Sequence, residues 1–450
     1  MRPSLLESLR GSFRIGWALV TRGAGSVLKF VMSLLVARAL GAEGAGIFFL
    51  FIAWTSVLGV LGGLGLPTYT LRSVSVLEDG EGDHPDSHRF VSAALRVALA
   101  GGAVMVMIVL LSSGFLANWL LTSPDLAYII RAAAIAGVGV IVVSIFAEAL
   151  TGRGQIVAAM QLESAVIPLV VVAFLSITLL LGRKGSPEQT IIVYLAAILI
   201  TIVLARWFWL RRVSRRAANE KGSAPVQLRP KEMATFWSTG VGAVMANNVA
   251  MLVLPLFASP ADIGLYGIAQ RMATMSVTIL DALGNVFTPA FARHYARKNA
   301  AGLRRELLMS QLYSFLAFVP FIIIFVFFAK PLLNIVGEDF LAARQLLLVL
   351  LIGQLFNSAT GLAGGLLNMS HRQHLTSYVT FGQAILTATL VFVLGSRYGT
   401  LGVAIAVAVS VAAKNLLLYF LARQSIKNDA REWETQPANL LAENLPESRQ

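Results

Sequence analysis

Residues 191–231 read IIVYLAAILITIVLARWFWLRRVSRRAANEKGSAPVQLRPK, and this stretch decides the class of fold. Its first twenty residues are predominantly apolar. At about 1.5 Å per residue they are long enough to cross the hydrocarbon core of a bilayer as one helix. The part from residue 211 onward carries seven Lys and Arg side chains, and basic segments beside a membrane span tend to stay in the cytoplasm. The stretch therefore predicts an integral membrane protein.

The composition of the whole chain agrees with this prediction. Of the 450 residues, 57% are hydrophobic and only 13% are charged, and the mean hydropathy is +0.74. Soluble domains carry about 25% charged residues, so a water-soluble globule is excluded. The absence of cysteine excludes a disulfide scaffold and cysteine-based metal sites. A net charge of +13 is expected of a membrane protein with basic cytoplasmic loops, and no separate basic domain supports nucleic-acid binding.

Similar apolar runs along the chain predict twelve membrane spans. They cover residues 16–37, 45–66, 90–113, 127–150, 164–182, 191–210, 235–258, 263–290, 312–334, 345–369, 375–395 and 400–422. We therefore predict an all-α polytopic membrane protein made of two pseudo-symmetric six-helix bundles. The first bundle comprises residues 1–210, a basic cytoplasmic linker 211–234, the second bundle 235–422 and a cytoplasmic tail 423–450.

The distribution of basic residues between the loops predicts the orientation. Loops on the side of the N-terminus hold 23 Lys and Arg, and the opposite loops hold 5. Because basic loops resist translocation, we expect both termini in the cytoplasm. The N-terminal apolar run is longer than a signal peptide and lacks a small-residue cleavage site, so we expect it to be retained as the first span.

The two halves resemble each other weakly. Gly46 opens the second span and Gly264 opens the eighth, 218 residues later. Pro67 and Pro289 end the same two spans at an offset of 222 residues. Such repeats are common in transporters.

Basic side chains within the predicted spans outnumber acidic ones. They are Arg22, Lys29, Arg96, Arg131, Arg206, Arg271, Lys330 and Lys414, against Glu148 and Asp281. A charge at the centre of a bilayer costs at least about 2.5 kcal/mol, so the presence of each of these charged residues in a span must be explained. Four of the basic residues lie within about 10 Å of a span end, where a long side chain reaches the head groups.

The other four, Arg22, Lys29, Arg271 and Lys414, form the candidate site. Arg22 and Lys29 are seven residues apart and share one helix face. Two interpretations stay open: structural pairing with the two acids, or a cationic water-filled cavity. Two acids cannot neutralise four deep cations, which favours the cavity. Such a cavity attracts phosphates, diphosphates, sulfates or acidic sugars.

Polar residues at mid-span complete the candidate set. Asn247 lies at the position equivalent to Lys29 under the 218-residue offset, and Gln354 lies in the tenth span. Their amides are predicted to hydrogen-bond sugar hydroxyls or, alternatively, neighbouring helices. Glu148 and Asp281 are candidates for ion coupling, with structural pairing near the cytoplasmic end as the alternative.

Motifs for catalysis are lacking in the sequence. It has no P-loop and no His-Glu-x-x-His pattern. No predicted external loop exceeds about 13 residues, which leaves no room for a folded extracytoplasmic catalytic domain. The spans contain no paired carboxylates at a shared depth, so a membrane-embedded enzyme is disfavoured. We predict a protein that is not an enzyme and that has no cofactor, catalytic residue or metal site.

The stretch LLVARALGAEGAGIF at 34–48, followed by Leu64-Gly65-Leu66-Pro67, resembles the start of the polysaccharide flippases. These belong to the MATE-like multidrug, oligosaccharidyl-lipid and polysaccharide exporter superfamily. The matching features are Leu40-Gly41, Glu43, Gly46 and Phe48, and the late motif 398–404, YGTLGVA, is also similar. Span number and the six-plus-six division agree over essentially the whole chain.

The resemblance implies alternating access around a central lumen in a bacterial inner membrane. The implied substrate is an anionic oligosaccharide linked to a polyprenyl diphosphate, and the implied partners are a polysaccharide polymerase and glycosyltransferases. Two alternatives from the same superfamily stay open. A multidrug exporter generally places acids in its membrane helices, unlike Arg22 and Lys29 here, whereas a lipid II flippase usually has additional helices.

Overall fold

The computed structural model describes residues 5–78, 85–120, 127–211 and 228–435, with side chains over 23–78, 86–115, 127–211 and 228–434. These ranges fold into helices without a strand, which confirms the predicted all-α class. The α-helices are α1 Leu5–Gly63, α2 Leu66–Leu77, α3 Pro85–Leu120, α4 Ala127–Gly152, α5 Ile156–Ser164, α6 Val166–Leu180, α7 Pro187–Arg211, α8 Pro230–Val253, α9 Pro260–Thr274, α10 Val277–Ala296, α11 Ala300–Phe327, α12 Ala329–Val336, α13 Ala343–Ala359, α14 Ala363–Met369 and α15 Gln373–Thr435. Short 3₁₀ turns lie at Leu254–Leu256 and Glu338–Ala342.

Ten helical stretches in the described ranges are long and apolar enough to cross a membrane. Two of them, Gly23–Gly63 and Gln373–Glu434, contain 41 and 62 residues, whereas one crossing needs about 20. Each is interrupted by one glycine with a left-handed backbone, Gly41 at φ 70° and Gly399 at φ 56°. Glycine adopts these angles without a steric penalty. Divided at these two residues, the stretches agree approximately with the predicted twelve spans.

Three predicted spans consist of two helices each. The span 312–334 is broken between α11 and α12, at Phe328. The span 263–290 is broken between α9 and α10, and the span 345–369 between α13 and α14. The apolar runs were recognised correctly, but their internal breaks were not.

The ends of two helices extend beyond the predicted spans. Helix α15 continues past residue 422 to Thr435, through the first part of the predicted tail. Helix α8 begins at Pro230, inside the predicted linker. Linker residues 212–227 lie outside the described residues, so the domain boundaries stay predictions.

Contacts between loops show which loops share an end of the molecule. Arg38 donates a hydrogen bond to the carbonyl oxygen of Ile335 at 2.7 Å, and the amide of Gly185 donates to Ala39 at 3.1 Å. All four residues lie in or beside loops predicted to be external. At the other end, Arg72 is 3.2 Å from Glu232, joining predicted cytoplasmic segments of the two halves. The sidedness of these ends stays a prediction.

The two halves are in close backbone contact at Gly46 on α1 and Gly264 on α9. A Cβ atom on Gly46 would lie 1.8 Å from the carbonyl oxygen of Pro260 and 2.8 Å from the amide nitrogen of Gly264. A Cβ atom on Gly264 would lie 2.0 Å from the carbonyl oxygen of Ala42. Small residues allow such close helix crossings in membranes. The two glycines related by the 218-residue offset are thus in contact with each other.

Ionic contacts stabilise the opposite end of each half. In the first half, the Arg153 guanidinium lies 3.0 Å from Glu78 and stacks on the Trp209 ring at 3.9 Å. In the second half, Arg372 makes two hydrogen bonds to the buried carboxylate of Asp429, at 2.8 and 2.6 Å, and these bonds raise the pKa of Arg372. The second contact holds the extension of α15 against the bundle.

Candidate substrate-binding cavities

The predicted site residues are divided between two neighbouring cavities. Lys29 and Arg271 line the first, and Lys414 and Asp281 line the second. The expectation that the deep cations form one group therefore needs correction. Helix α10 separates the cavities. Thr278 on its first turn lines the first cavity, whereas Asp281 lines the second.

The first cavity lies between the two halves and has a volume of about 450 Å³. From the first half, α1 contributes Gly23, Ser26, Val27, Lys29, Phe30 and Ser33. From the second half, α9 to α11 contribute Arg271, Thr274, Met275, Thr278, Ile279 and Phe321. The volume is typical of small-ligand pockets. Among the described residues that line it, two are cations and none is an acid.

Lys29 is exposed to this space. Its Nζ atom lies 3.4 Å from the hydroxyl oxygen of Ser164, which belongs to the end of α5. The Lys29 ammonium group thus contacts α5 of the first half, and its side chain lines the cavity between the two halves.

Arg271 is held by uncharged groups. Its guanidinium donates to the carbonyl oxygen of Gly267 at 3.2 Å and lies 3.7 Å from the centre of the Phe49 ring. No ion pair with a carboxylate involves Arg271 in the described part of the chain. Stacking on an aromatic face stabilises a cation and leaves guanidinium N–H groups available for bidentate contacts with an anion.

Arg22 lies on α1, seven residues before Lys29. Its side chain is outside the described residues, so its predicted place on the Lys29 face remains untested.

The second cavity lies within the second half and has a volume of about 550 Å³. Helix α10 contributes Asp281 and Asn285, the segment from α13 to α14 contributes Asn357, and α15 contributes Lys414 and Asn415. Lys414 makes no hydrogen bond or ion pair with another described residue. Lys414 therefore lies in a different cavity from Lys29 and Arg271.

The two predicted amides behave differently. Asn247 donates a hydrogen bond to Ala243 on its own helix at 3.0 Å and lines neither cavity. Gln354 is buried and accepts a hydrogen bond from Asn357 at 3.1 Å. Gln354 therefore orients a residue that lines the second cavity.

The predicted ion-coupling acids lie in different halves. Asp281 lines the second cavity, whereas Glu148 on α4 lines neither cavity and interacts electrostatically with Glu163. Glu163 belongs to the helical stretch Ile156–Leu180, which is apolar enough to cross the membrane. Because Glu163 immediately precedes the predicted span 164–182, the assignment of Glu148 and Asp281 as the acids of the spans stays a prediction.

Three polar residues that the sequence reasoning missed also line the second cavity, namely Asn285, Thr288 and Asn415. Asn285 and Thr288 follow Asp281 by four and seven residues, which is the spacing of one helix face. That spacing could have revealed them. Among the described residues, no group of three His, Asp or Glu side chains could hold a metal ion.

A family model described as "Polysaccharide biosynthesis protein" matches residues 14–295, more than half of the chain. The chain belongs to this family. A second model, MatE, matches residues 241–393. Together the two matches confirm the resemblance that the motifs between residues 34 and 67 indicated.

Known proteins support the same assignment. The chain is 20% identical over 398 residues to the "probable low-salt glycan biosynthesis flippase Agl15" of Haloferax volcanii, covering 87% of this chain and 79% of the relative. The fold is similar to an inward-facing multidrug resistance MATE family transporter of the MOP superfamily, with a TM-score of 0.73, 13% identity and coverage of 92% and 99% of the two chains. It is also similar to the lipid II flippase MurJ, with a TM-score of 0.68, 14% identity and coverage of 96% and 94%. The chain is accordingly a multi-pass membrane transporter of this superfamily.

Proposed function

We propose that the protein moves a polyprenyl-diphosphate-linked oligosaccharide from the cytoplasmic to the outer leaflet of a bacterial cytoplasmic membrane, for cell-surface polysaccharide synthesis. The observation that carries the proposal is the cavity between the halves. It joins Lys29 and Arg271, one from each half, and none of the described residues that line it is acidic.

The arrangement suits an anion that both halves bind during alternating access. A diphosphate accepts point-charge contacts from Lys29 and bidentate contacts from Arg271. Because the cations belong to different halves, an anion between them attracts the halves toward each other and compensates their mutual repulsion. Substrate binding is thereby linked to the relative positions of the bundles.

A multidrug exporter of cationic compounds is the alternative that this cavity disfavours. A cationic drug would be repelled by both charges in a low-dielectric environment. A lipid II flippase would need a similar cationic site, so the two cargoes must be distinguished by the sugar portion of the substrate. Ion coupling by Glu148 or Asp281 stays a prediction. Exchange to Gln or Asn should abolish gradient dependence if the acids couple.

The test is to compare surface polymer with the amount of transporter in the membrane of the producing cell. Lys29→Ala should strongly reduce polymer at unchanged transporter level, whereas Lys29→Arg should retain part of it because the charge is kept. Asn248→Ala is a suitable control. Asn248 is another polar residue on a membrane helix, and it lines neither cavity.

The measurement separates binding from a merely structural role. If Lys29 were structural, its alanine variant would lose polymer only in proportion to lost transporter. Normal polymer in well-expressed alanine variants of both Lys29 and Arg271 would contradict the proposal.

A further inference from the structure

The second cavity differs chemically from the first. In addition to Lys414, it presents the carboxylate of Asp281 and the polar groups of Asn285, Asn357 and Asn415. An amide side chain offers both donors and acceptors, and a carboxylate only accepts. A diphosphate needs donors and cations and is repelled by a carboxylate, so it suits the first cavity better.

We infer that the second cavity is a binding site for a sugar ring of the glycan carried by the lipid diphosphate, an inference that rests on the proposed function. A sugar presents hydroxyl groups that both donate and accept, and it carries apolar C–H faces between them. The amides and Asp281 match the hydroxyls, and apolar lining residues such as Leu280 and Leu418 match the faces. Lys414 would bind a ring oxygen, a hydroxyl or the carboxylate of an acidic sugar.

Room for a ring comes from glycines. Gly284, Gly361, Gly364 and Gly365 line the cavity, and a Cβ atom added to Gly284 would meet nothing within 4 Å. The volume of about 550 Å³ lies in the range of small-ligand sites. Lys414 points to a ligand independently, since a cation in a membrane bundle without a described partner requires compensation.

The position beside the first cavity fits one extended substrate. Thr278 and Ile279 of α10 line the first cavity, whereas Val277, Leu280 and Asp281 of the same turn line the second. One helix about 10 Å thick therefore separates them. A glycan attached to a diphosphate in the first cavity would have to pass around α10, so a ring beyond the first sugar is the one that reaches the second cavity.

Binding to the full-length protein in lipid nanodiscs tests the inference. The probes are a polyprenyl diphosphate without sugar and the same lipid carrying a disaccharide. We expect the sugar to strengthen binding to the unaltered protein by about tenfold. Gly284→Leu, which fills the cavity without a backbone clash, should abolish this gain and leave binding of the sugar-free lipid unchanged.

Matched variants serve as controls. Gly382 is another helical glycine whose added Cβ atom meets nothing within 4 Å, and it lines neither cavity, so Gly382→Leu should keep the gain. Asn415 and Asn248 each donate to the carbonyl four residues earlier, at 2.9 Å in both cases. Asn415→Ala should reduce the gain from the sugar, and Asn248→Ala should not.

The outcomes distinguish this inference from the proposed function. If Lys29→Ala weakens binding of both lipids while Gly284→Leu and Asn415→Ala leave the sugar-dependent gain intact, the second cavity is not the sugar site. An absence of any sugar-dependent gain in the unaltered protein would also overturn the inference. If Lys29→Ala does not weaken the sugar-free lipid, the proposed diphosphate site is wrong.

Discussion

At the residue scale, the guanidinium of Arg271 contacts an aromatic ring and a carbonyl oxygen but no described carboxylate. Replacing it by methionine would leave no described acid unpaired and would remove an uncompensated charge from a membrane helix. We therefore expect Arg271→Met to retain or raise the unfolding temperature of the purified transporter while transport is lost. A fall in unfolding temperature that accounts for the lost transport would contradict a binding role.

Arg153, unlike Arg271, forms an ion pair with a described, largely buried carboxylate. Its partner Glu78 is 3.0 Å away, and the two side chains are only 6% and 13% exposed. Arg153→Met should leave Glu78 buried without its cation and lower the free energy of unfolding by about 3–5 kcal/mol. Thermal unfolding of the two methionine variants side by side checks both predictions. Equal stability of the Arg153 variant and the unaltered protein would show that the pair contributes little.

The sequence singled out cations deep in the predicted spans, but it did not reveal their surroundings. Lys29, Arg271 and Lys414 were recognised because charges deep in apolar runs are costly. Their division between two cavities depends on how α10 packs, and Phe49 reaches Arg271 from a different helix. Such tertiary contacts have no signature in local hydropathy. Asn285 and Thr288 could have been found from the sequence, since their spacing places them on the same helix face as Asp281.

At the scale of helices, the crossing of α1 and α9 depends on two glycines. Gly46→Ala would bring a Cβ atom within 1.8 Å of a backbone oxygen, and a backbone cannot move aside as a flexible side chain can. We expect a loss of about 1–3 kcal/mol or more in the free energy of unfolding. Gly114→Ala is the control, since a Cβ there meets nothing within 4 Å. Unfolding at the same denaturant concentration for both variants would contradict the observed crossing.

The extension of α15 gives a second prediction at this scale. Arg372 binds the buried carboxylate of Asp429 through two hydrogen bonds, so Arg372→Met should release the last turns of the helix. Amide hydrogen exchange should increase over residues 423–434 and stay unchanged over α13, because local opening follows the lost contact. Unchanged exchange over residues 423–434 would mean that apolar packing alone holds the extension.

Hydropathy predicted the helices better than their breaks. The left-handed glycines Gly41 and Gly399 lie between predicted spans, where a turn was expected. The break between α9 and α10, at Met275–Ser276, lies inside an apolar run and contains neither glycine nor proline. Packing against neighbouring helices decides such a break, so a local pattern could not reveal it.

At the scale of the whole molecule, contacts join loops that were predicted to share a side, but the direction of insertion depends on the positive-inside rule. A cysteine at Ser223, in this cysteine-free chain, should resist a membrane-impermeant thiol reagent in intact cells. A cysteine at Ser123 should react. Ser223 and Ser123 lie outside the described residues, so the experiment tests the charge distribution directly. Strong labelling at Ser223 would reverse the orientation.

The central claim is that Lys29 and Arg271, from opposite halves, bind one anionic substrate between them. The most direct measurement is the transbilayer movement of a polyprenyl-diphosphate-linked sugar in liposomes containing the purified protein, normalised to folded transporter. Each charged contact contributes about 1.5–3 kcal/mol, so Lys29→Ala and Arg271→Met should each slow the movement at least about tenfold, with Lys29→Arg between them and the unaltered protein. Full rates in a folded double variant lacking both charges would contradict the account.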